Sequence, residues 1–347
     1  MWFSSKTKGT SVALIDISSS GVGGALVRLE AGKLPALCYT VREPLEVAAR
    51  AGTEALTNTA LRALETVGDR LVREGAPALR AAVGEGSVDR VLVSFGSPWQ
   101  EASVATKTAL QDSPFTFTRS FAVDMLGQSD EEPQRNVTRI VIASLLNGYL
   151  TADPYGKRAK RAEIIVLSTS LDETIMDPVE EILRKSFHTH DIRYASFTEP
   201  SFRALQELYP HEKDFLLMTV TNEATEAASV KRGHLMDAGT IACGSHGFTS
   251  GLDSGKVCAD ELSGLLREFA ARHALPRTIF ILAEDAAAEQ VKTALNDPSL
   301  HALWLSDVPV SAISIQPSQF SAVVRTQGLA EGDSRLAALA LAAARQA

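Results

Sequence analysis

The chain has 347 residues, 45% hydrophobic and 22% charged, with a formal net charge of −8. That length holds two lobes or one α/β unit with an insertion, and the composition is that of an ordinary soluble globular protein. The acidic balance argues against a dedicated nucleic-acid binder, which presents a basic field. No stretch approaches the roughly 20 apolar residues that a membrane-spanning helix needs. The first apolar run, Val12-Ala13-Leu14-Ile15, stops at Asp16, so no secretory signal is expected and a cytoplasmic location is. Cys38, Cys243 and Cys258 show no CxxC or Cys/His spacing. Neither a disulfide framework nor a zinc site is therefore expected.

Strand-like and helical stretches alternate along the chain, which predicts a mixed α/β fold. Val12 to Ile17, Gly23 to Leu29 and Leu37 to Val41 read as three strands of a meander with a Ser/Gly first turn. Thr53 to Glu74 places Leu56, Leu61, Leu64, Val67, Leu71 and Val72 close to helical spacing. Arg90 to Phe95 reads as a strand, and Trp99, after Ser97-Pro98, as an anchor onto a small subdomain. Asp130-Glu131-Glu132-Pro133 is the most linker-like stretch, and Arg139 to Leu146 is strand or helix by periodicity alone.

Glu163 to Ser168 predicts a strand and Asp172 to Ser186 a helix. Asp214 to Val220 and Ala227 to Val230 then pair, with a turn at Lys231-Arg232-Gly233. Asp260 to His273 is an amphipathic helix, Thr278 to Leu282 a buried strand, and Leu336 to Arg345 an Ala-rich helix. The strand-turn-strand theme near residue 12 returns about 200 residues later, an internal repeat that suggests two lobes.

These two meanders resemble the phosphate-binding hairpins of the actin/Hsp70/sugar-kinase superfamily, and the whole chain is similar to its FtsA cell-division and PilM pilus-assembly families. The matching stretches run in order. They are Val12 to Val27, then Val91 to Thr106 with Arg139 to Ser170, and the Tyr149…Pro154-Tyr155-Gly156 loop. Glu199-Pro200 before Phe202-Arg203-Ala204-Leu205, Phe215 to Glu226, and Gly244-Ser245-His246-Gly247 follow. The resemblance implies an actin-like two-lobed (duplicated ribonuclease-H-like) α/β fold with a small inserted α+β subdomain. Its implied divisions are residues 1–87 for the first part of one lobe, 88–170 for the insertion, and 171–213 for completion of that lobe. Residues 214–347 form the second lobe, with the last helix closing the first.

In active members of that superfamily, phosphates lie between the two hairpins and two aspartates help hold a hydrated Mg²⁺. Here the first hairpin keeps Asp16, Ser18, Ser19, Ser20 and Gly21. At the second, Thr219 stands where the family has aspartate, and Thr221 and Asn222 where it has glycines. Ala224 stands for a threonine, while Thr225 and Glu226 remain. On the adenosine side, Ala283-Glu284-Asp285 replaces a glycine pair, adding bulk and negative charge. Asp16, Ser18, Ser19, Ser20, Gly21, Thr221, Asn222, Thr225 and Glu226 are thus the candidate residues of a degenerate nucleotide pocket. No catalytic residue or metal site is assigned, and at most weak ATP/Mg binding is expected.

Gly244-Ser245-His246-Gly247 lacks the spacing of a nucleophile elbow and reads as a turn. His188-Thr189-His190 reads as a helix C-terminal region rather than a metal pair. Lys157-Arg158-Ala159-Lys160-Arg161 is the one dense basic run, either a solvated loop or a contact for anionic lipid or an acidic segment. Trp2-Phe3 reads as packed or disordered, and the Ala-rich end as a packing helix, nearer to PilM than to the membrane-anchored FtsA type.

The resemblance implies a cytoplasmic adaptor of the PilM/FtsA type, a pseudo-ATPase that binds the cytoplasmic tail of a membrane protein in a pilus or division assembly. It would be peripheral to the membrane through that partner, able to self-associate, and independent of nucleic acid. The alternatives are an active ATPase or small-molecule kinase using Asp16, and an actin-type polymer-former.

Overall fold

The computed structural model describes residues 9–46, 52–127, 136–249, 252–283, 285–297, 300, 302–304 and 310–345. Trp2-Phe3, the acidic Asp130 to Pro133 stretch and Glu284 lie outside them.

Two five-strand patterns of the same order form the frame. In the first, β1 (Thr10–Ser18), β2 (Gly21–Leu29) and β3 (Ala36–Pro44) make an antiparallel meander. On the other side of β1, β4 (Arg90–Phe95) and then β9 (Ile192–Ser196) add in parallel. In the second, β10 (Phe215–Val220), β11 (Thr225–Lys231) and β12 (His234–Ile241) repeat the meander, with β13 (Thr278–Leu282) and β14 (Ser311–Ser314) parallel beyond β10. The orders β3-β2-β1-β4-β9 and β12-β11-β10-β13-β14 correspond strand for strand. The repeat inferred from two meanders is thus a duplication of whole sheets. A late strand, β15 (Arg325–Leu329), extends the first sheet beside β3.

A parallel strand at the centre of a sheet is covered on both faces and reads as a continuous apolar run. β1 fits that rule. Val12 and Leu14 point into a core with α5 (Thr198–Leu208) and α9 (Ser334–Arg345), while Ala13, Ile15 and Ile17 meet α1 (Thr53–Arg70) and α4 (Glu173–Phe187). Strand alternation therefore sends Asp16 to the face that carries α9. Helix α9 is buried from Leu336 to Ala343, which leaves it no apolar face for a membrane. Beyond Arg70 the chain passes through a π-helical turn, Leu71–Gly75, into α2 (Ala76–Val83).

A third sheet is inserted between β4 and α4. It has the order β5-β8-β6-β7, from β5 (Gln100–Thr116), β6 (Val137–Leu146), β7 (Tyr149–Leu150) and β8 (Arg158–Leu171). Helix α3 (Arg119–Leu126) closes a small core of Phe117, Ala122, Leu146, Ala162, Ile164 and Val166. The ambiguous Arg139 to Leu146 run is a strand paired along β8, and its Val141 and Leu146 join this core.

Three expectations are corrected. Arg90 to Phe95 pairs with β1 in the large sheet, so the inserted sheet starts at Gln100 rather than before Val91. Trp99 packs against the α1 side of that sheet instead of the insertion, and its Nε1 donates to Thr57 Oγ1 at 2.9 Å. Cys243 and Cys258, 15 residues apart, are joined in a disulfide, because the end of β12 and helix α7 (Leu252–Arg272) bring their Cα atoms to 5.5 Å. His188 does cap α4, at a positive φ of 52°, its N–H on Arg184 O.

Candidate functional site

The first turns of the two meanders face each other, because β1 and β10 occupy equivalent places in the two sheets. Ser19 Oγ donates to Thr221 Oγ1 at 2.9 Å and accepts from Glu223 N at 3.1 Å. Ser20 Oγ donates to Asn222 Oδ1 at 3.2 Å. Ser19 and Thr221 are buried, so the bond between them forms without competing water. The hairpins are bridged by hydrogen bonds that the Ser19 and Ser20 hydroxyls donate.

Within each turn the polar groups are also engaged. Ser18 Oγ donates to Gly21 O at 3.2 Å, and Thr221 N and Oγ1 both reach Ala224 O, at 2.9 and 3.0 Å. The second turn rests on the following loop, where Ser245 N donates to Thr221 O and His246 N to Asn222 O. Gly244 makes that approach possible, since a Cβ there would lie 2.2 Å from Thr221 O. Helix α6 (Ser245–Thr249) begins here, and His246 Nδ1 lies 2.9 Å from Glu223 Oε1.

Beneath the turns, Asp16 is fully buried. Arg335 grips it with both arms, Nε to Oδ2 at 2.6 Å and Nη2 to Oδ1 at 2.8 Å. Arg42 Nη2 adds a bond to Oδ2 at 3.0 Å, and Arg42 Nε reaches Asp333 Oδ2 at 2.6 Å. The bidentate form is the strongest geometry for such a pair. Asp333 also accepts from the N–H groups of Arg335 and Leu336, which caps α9 and aims Arg335 at Asp16. The Arg335 guanidinium lies 3.7 Å above the centre of the Phe197 ring. Gly23 leaves room for Arg42, because a Cβ at that position would sit 2.6 Å from its Nη2.

Two cations and two carboxylates thus balance in one chain, Asp333–Arg42–Asp16–Arg335, in which Asp16 is buried and the other three are half-buried. Burial opposes charge on Asp333, but the Arg42 guanidinium outweighs it and holds that carboxyl below the usual range. Burial likewise works against the Arg42 charge, and Asp333 and Asp16 together more than reverse it, keeping the guanidinium protonated.

The remaining expected site residues separate. Thr225 donates its hydroxyl to Cys243 O at 2.7 Å, away from the first hairpin. Glu226 crosses toward the first sheet, where Oε1 accepts from Ser97 N at 2.7 Å and Oε2 from Thr198 Oγ1 at 3.4 Å. Gly21 only opens β2. A cavity of about 360 Å³ lies beside the network, walled by Ser20, Arg42, Ala283, Pro317, Asp333 and Arg335 among others. Sequence reasoning found Asp16 but not Arg42, Asp333 or Arg335. The one local signal was Asp333 two residues before an arginine at the start of an Ala/Leu helix.

No protein-family model and no curated protein sequence matches the chain. In fold it is similar to the PilM–PilN type IV pilus biogenesis complex, with a TM-score of 0.53 and 13% identity over 96% of this chain and 97% of that one. A protein from Bacteroides thetaiotaomicron with an actin-like ATPase fold is similar at a TM-score of 0.46 and 11% identity, over 98% and 99% of the two chains. A ROK hexokinase from Thermus thermophilus follows at 0.32 and 10%, over 96% and 98%. The duplicated sheets, the four-stranded insertion and the full-length match to PilM give this chain the actin-like two-lobed ATPase fold.

Proposed function

We propose that this chain is a non-catalytic adaptor of the PilM type, which binds the cytoplasmic tail of a membrane protein and does not turn over nucleotide. The observation that carries the reading is the fate of Asp16. A hydrated Mg²⁺ needs free carboxylate oxygens, and both oxygens of Asp16 are held by guanidinium groups. Those groups already supply the positive charge that the metal would bring. The phosphate position between the hairpins is likewise taken by the Ser19–Thr221 and Ser20–Asn222 bonds. Thr219, buried on β10, offers no second carboxylate. Phosphoryl transfer depends on metal-assisted positioning and charge neutralisation, and the engagement of Asp16 by two arginines works against the metal.

The adaptor role rests on the likeness to a PilM–PilN complex, whose name states an assembly of two proteins. Among the described residues no helix is long and apolar enough to cross a membrane.

Thermal unfolding in the presence of ATP or ADP, with and without Mg²⁺, tests the first half of the proposal. A ligand at a hundred times its Kd adds about 2.7 kcal/mol to stability. No shift at millimolar nucleotide is expected, and a clear Mg²⁺-dependent shift overturns the pseudo-ATPase reading in favour of an ATPase or kinase. The second half is tested by fluorescence anisotropy with labelled tails of single-span membrane proteins encoded beside this chain. Saturable binding of one tail is expected, and the absence of any overturns the adaptor role.

A further inference from the structure

The inserted sheet ends in a surface whose chemistry differs from the rest of this acidic protein. Its β5–β8 ladder begins at the Gln100–Leu171 rung and reaches Leu110–Arg161 about ten rungs on, roughly 33 Å from the first sheet. At that far end Lys157, Arg158, Lys160 and Arg161 are all exposed within five residues of chain. Arg161 pairs with Glu163 and Arg158 donates to Pro114 O, while no carboxylate among the described residues pairs with Lys157 or Lys160. Asp112 and Asp153 share this end. With Arg119, which lies 4.8 Å over the Tyr155 ring, five cations stand with the carboxylates of Asp112, Asp153 and Glu163 among the described residues of this end, although the chain as a whole carries −8.

Large apolar side chains stand among these cations. Leu110 is 75% exposed, Tyr149 78% and Leu150 56%. Their placement is built. Asn147 and Gly148, both at positive φ, make a tight turn that folds Tyr149 and Leu150 back along β6. Asn147 Oδ1 then accepts from the N–H groups of Lys160 and Arg161, and its own N–H donates to Arg161 O. The turn that carries the exposed tyrosine and leucine is therefore pinned to the strand that carries the basic run.

We infer that this end of the inserted sheet docks on an anionic lipid surface, with Lys157, Lys160 and Arg161 against headgroups and Tyr149 and Leu150 at the boundary with the acyl chains. Stable peripheral binding takes two signals, a polybasic patch and an apolar insertion, and both are present here side by side. A bilayer repels the negative remainder of the molecule, so this contact also sets orientation. The interlobe cleft would then stand about 33 Å or more from the membrane, within reach of a partner's tail.

Vesicle flotation of the full chain tests the inference, using vesicles of phosphatidylcholine alone and of equimolar phosphatidylcholine and phosphatidylglycerol. Binding to the anionic vesicles only is expected, weakened by salt and reduced about tenfold in Lys157→Glu/Lys160→Glu. Tyr149→Ser/Leu150→Ser should weaken it further at high salt. These positions are exposed, so an unchanged melting temperature verifies that each variant is folded. Equal binding to both vesicle types, or charge-reversed protein that floats as well as wild type, overturns the proposal. Failure to bind either vesicle while poly-glutamate binds would overturn it in favour of an acidic protein segment. None of these outcomes depends on nucleotide, so they separate from those of the adaptor test.

Discussion

Ser19 Oγ donates to Thr221 Oγ1 at 2.9 Å, a hydrogen bond between residues 202 positions apart that joins the first turn of one meander to the first turn of the other. Both residues were expected to line a degenerate pocket, and in the structure their hydroxyls bond the two hairpins to each other.

That bond should be measurable as a coupling. Ser19→Ala and Thr221→Val each remove one partner from a buried pair, and each should cost about 1 kcal/mol of stability. In a double-mutant cycle by urea unfolding, a direct bond appears as a coupling of about 0.5–1.5 kcal/mol. Purely additive effects would mean that the hairpins do not touch in solution.

Asp16 gives a sharper test, because a structural ion pair and a metal ligand respond differently to truncation. Asp16→Ala leaves Arg42 and Arg335 without their shared carboxylate in a buried place, and should destabilise by about 3–5 kcal/mol. Adding Arg335→Met removes the stranded charge, and should recover part of that loss while keeping apolar contact with Phe197. A surface-sized effect of Asp16→Ala, within about 0.5 kcal/mol, would refute the network as a structural element.

The acid limb of stability should report Asp333. Its folded pKa lies below the ordinary value of about 3.9, so its contribution is fully present above that pH and is lost as pH falls through the lower folded value. Urea midpoints measured from pH 6 downward should therefore fall steeply below about pH 4, and Asp333→Asn should flatten that limb. The variant is less stable at neutral pH, since Arg42 loses one of its two anions. An unaltered slope in the variant would remove Asp333 from the account.

How much of this was legible follows from sequence distance. The meanders could be read because strand, small-residue turn and strand are adjacent in sequence, and Asp16 stands out as a charge inside an apolar run. The partners of Asp16 could not be read, since Arg42 is 26 residues away and Arg335 is 319. Arg42 looks like any polar residue on an outer strand, and only the register, which sets Gly23 of β2 between it and Asp16, lets it reach across to β1. Glu226 shows the same limit. The resemblance put it among the pocket residues, and its partner Ser97 N, 129 positions away on the other sheet, could not be read locally. Trp99 was misplaced for the same reason, because nothing local tells whether a Pro-Trp loop packs forward or back.

His234 offers a second pH signal with the same sign. Burial pushes its pKa below the usual 6.5, and Arg203 nearby pushes in the same direction. The folded protein therefore binds fewer protons than the unfolded chain just below pH 6.5, and stability falls as pH drops through that window toward the folded value. His234→Gln should abolish the decline between about pH 6.5 and 5 without touching the Asp333 limb. The variant following the wild-type curve would rule His234 out.

The cysteines make the last test, since no spacing rule anticipated their pairing. With Cys243 joined to Cys258, Cys38 is the free thiol. Burial raises the Cys38 pKa, so thiolate is scarce and the native protein should be nearly unreactive toward a thiol reagent at pH 8. Unfolding without reductant should release one reactive thiol, and unfolding after reduction all three. The bond closes a 15-residue loop from the end of β12 into α7. In the chain-entropy account a loop of that size contributes about 3 kcal/mol. Reduction should lower the urea midpoint accordingly and loosen the Gly244 loop that supports Thr221 and Asn222. Three reactive thiols on unfolding without reductant would show that the sulfurs are neighbours but not bonded, and the second hairpin would then stand on packing alone.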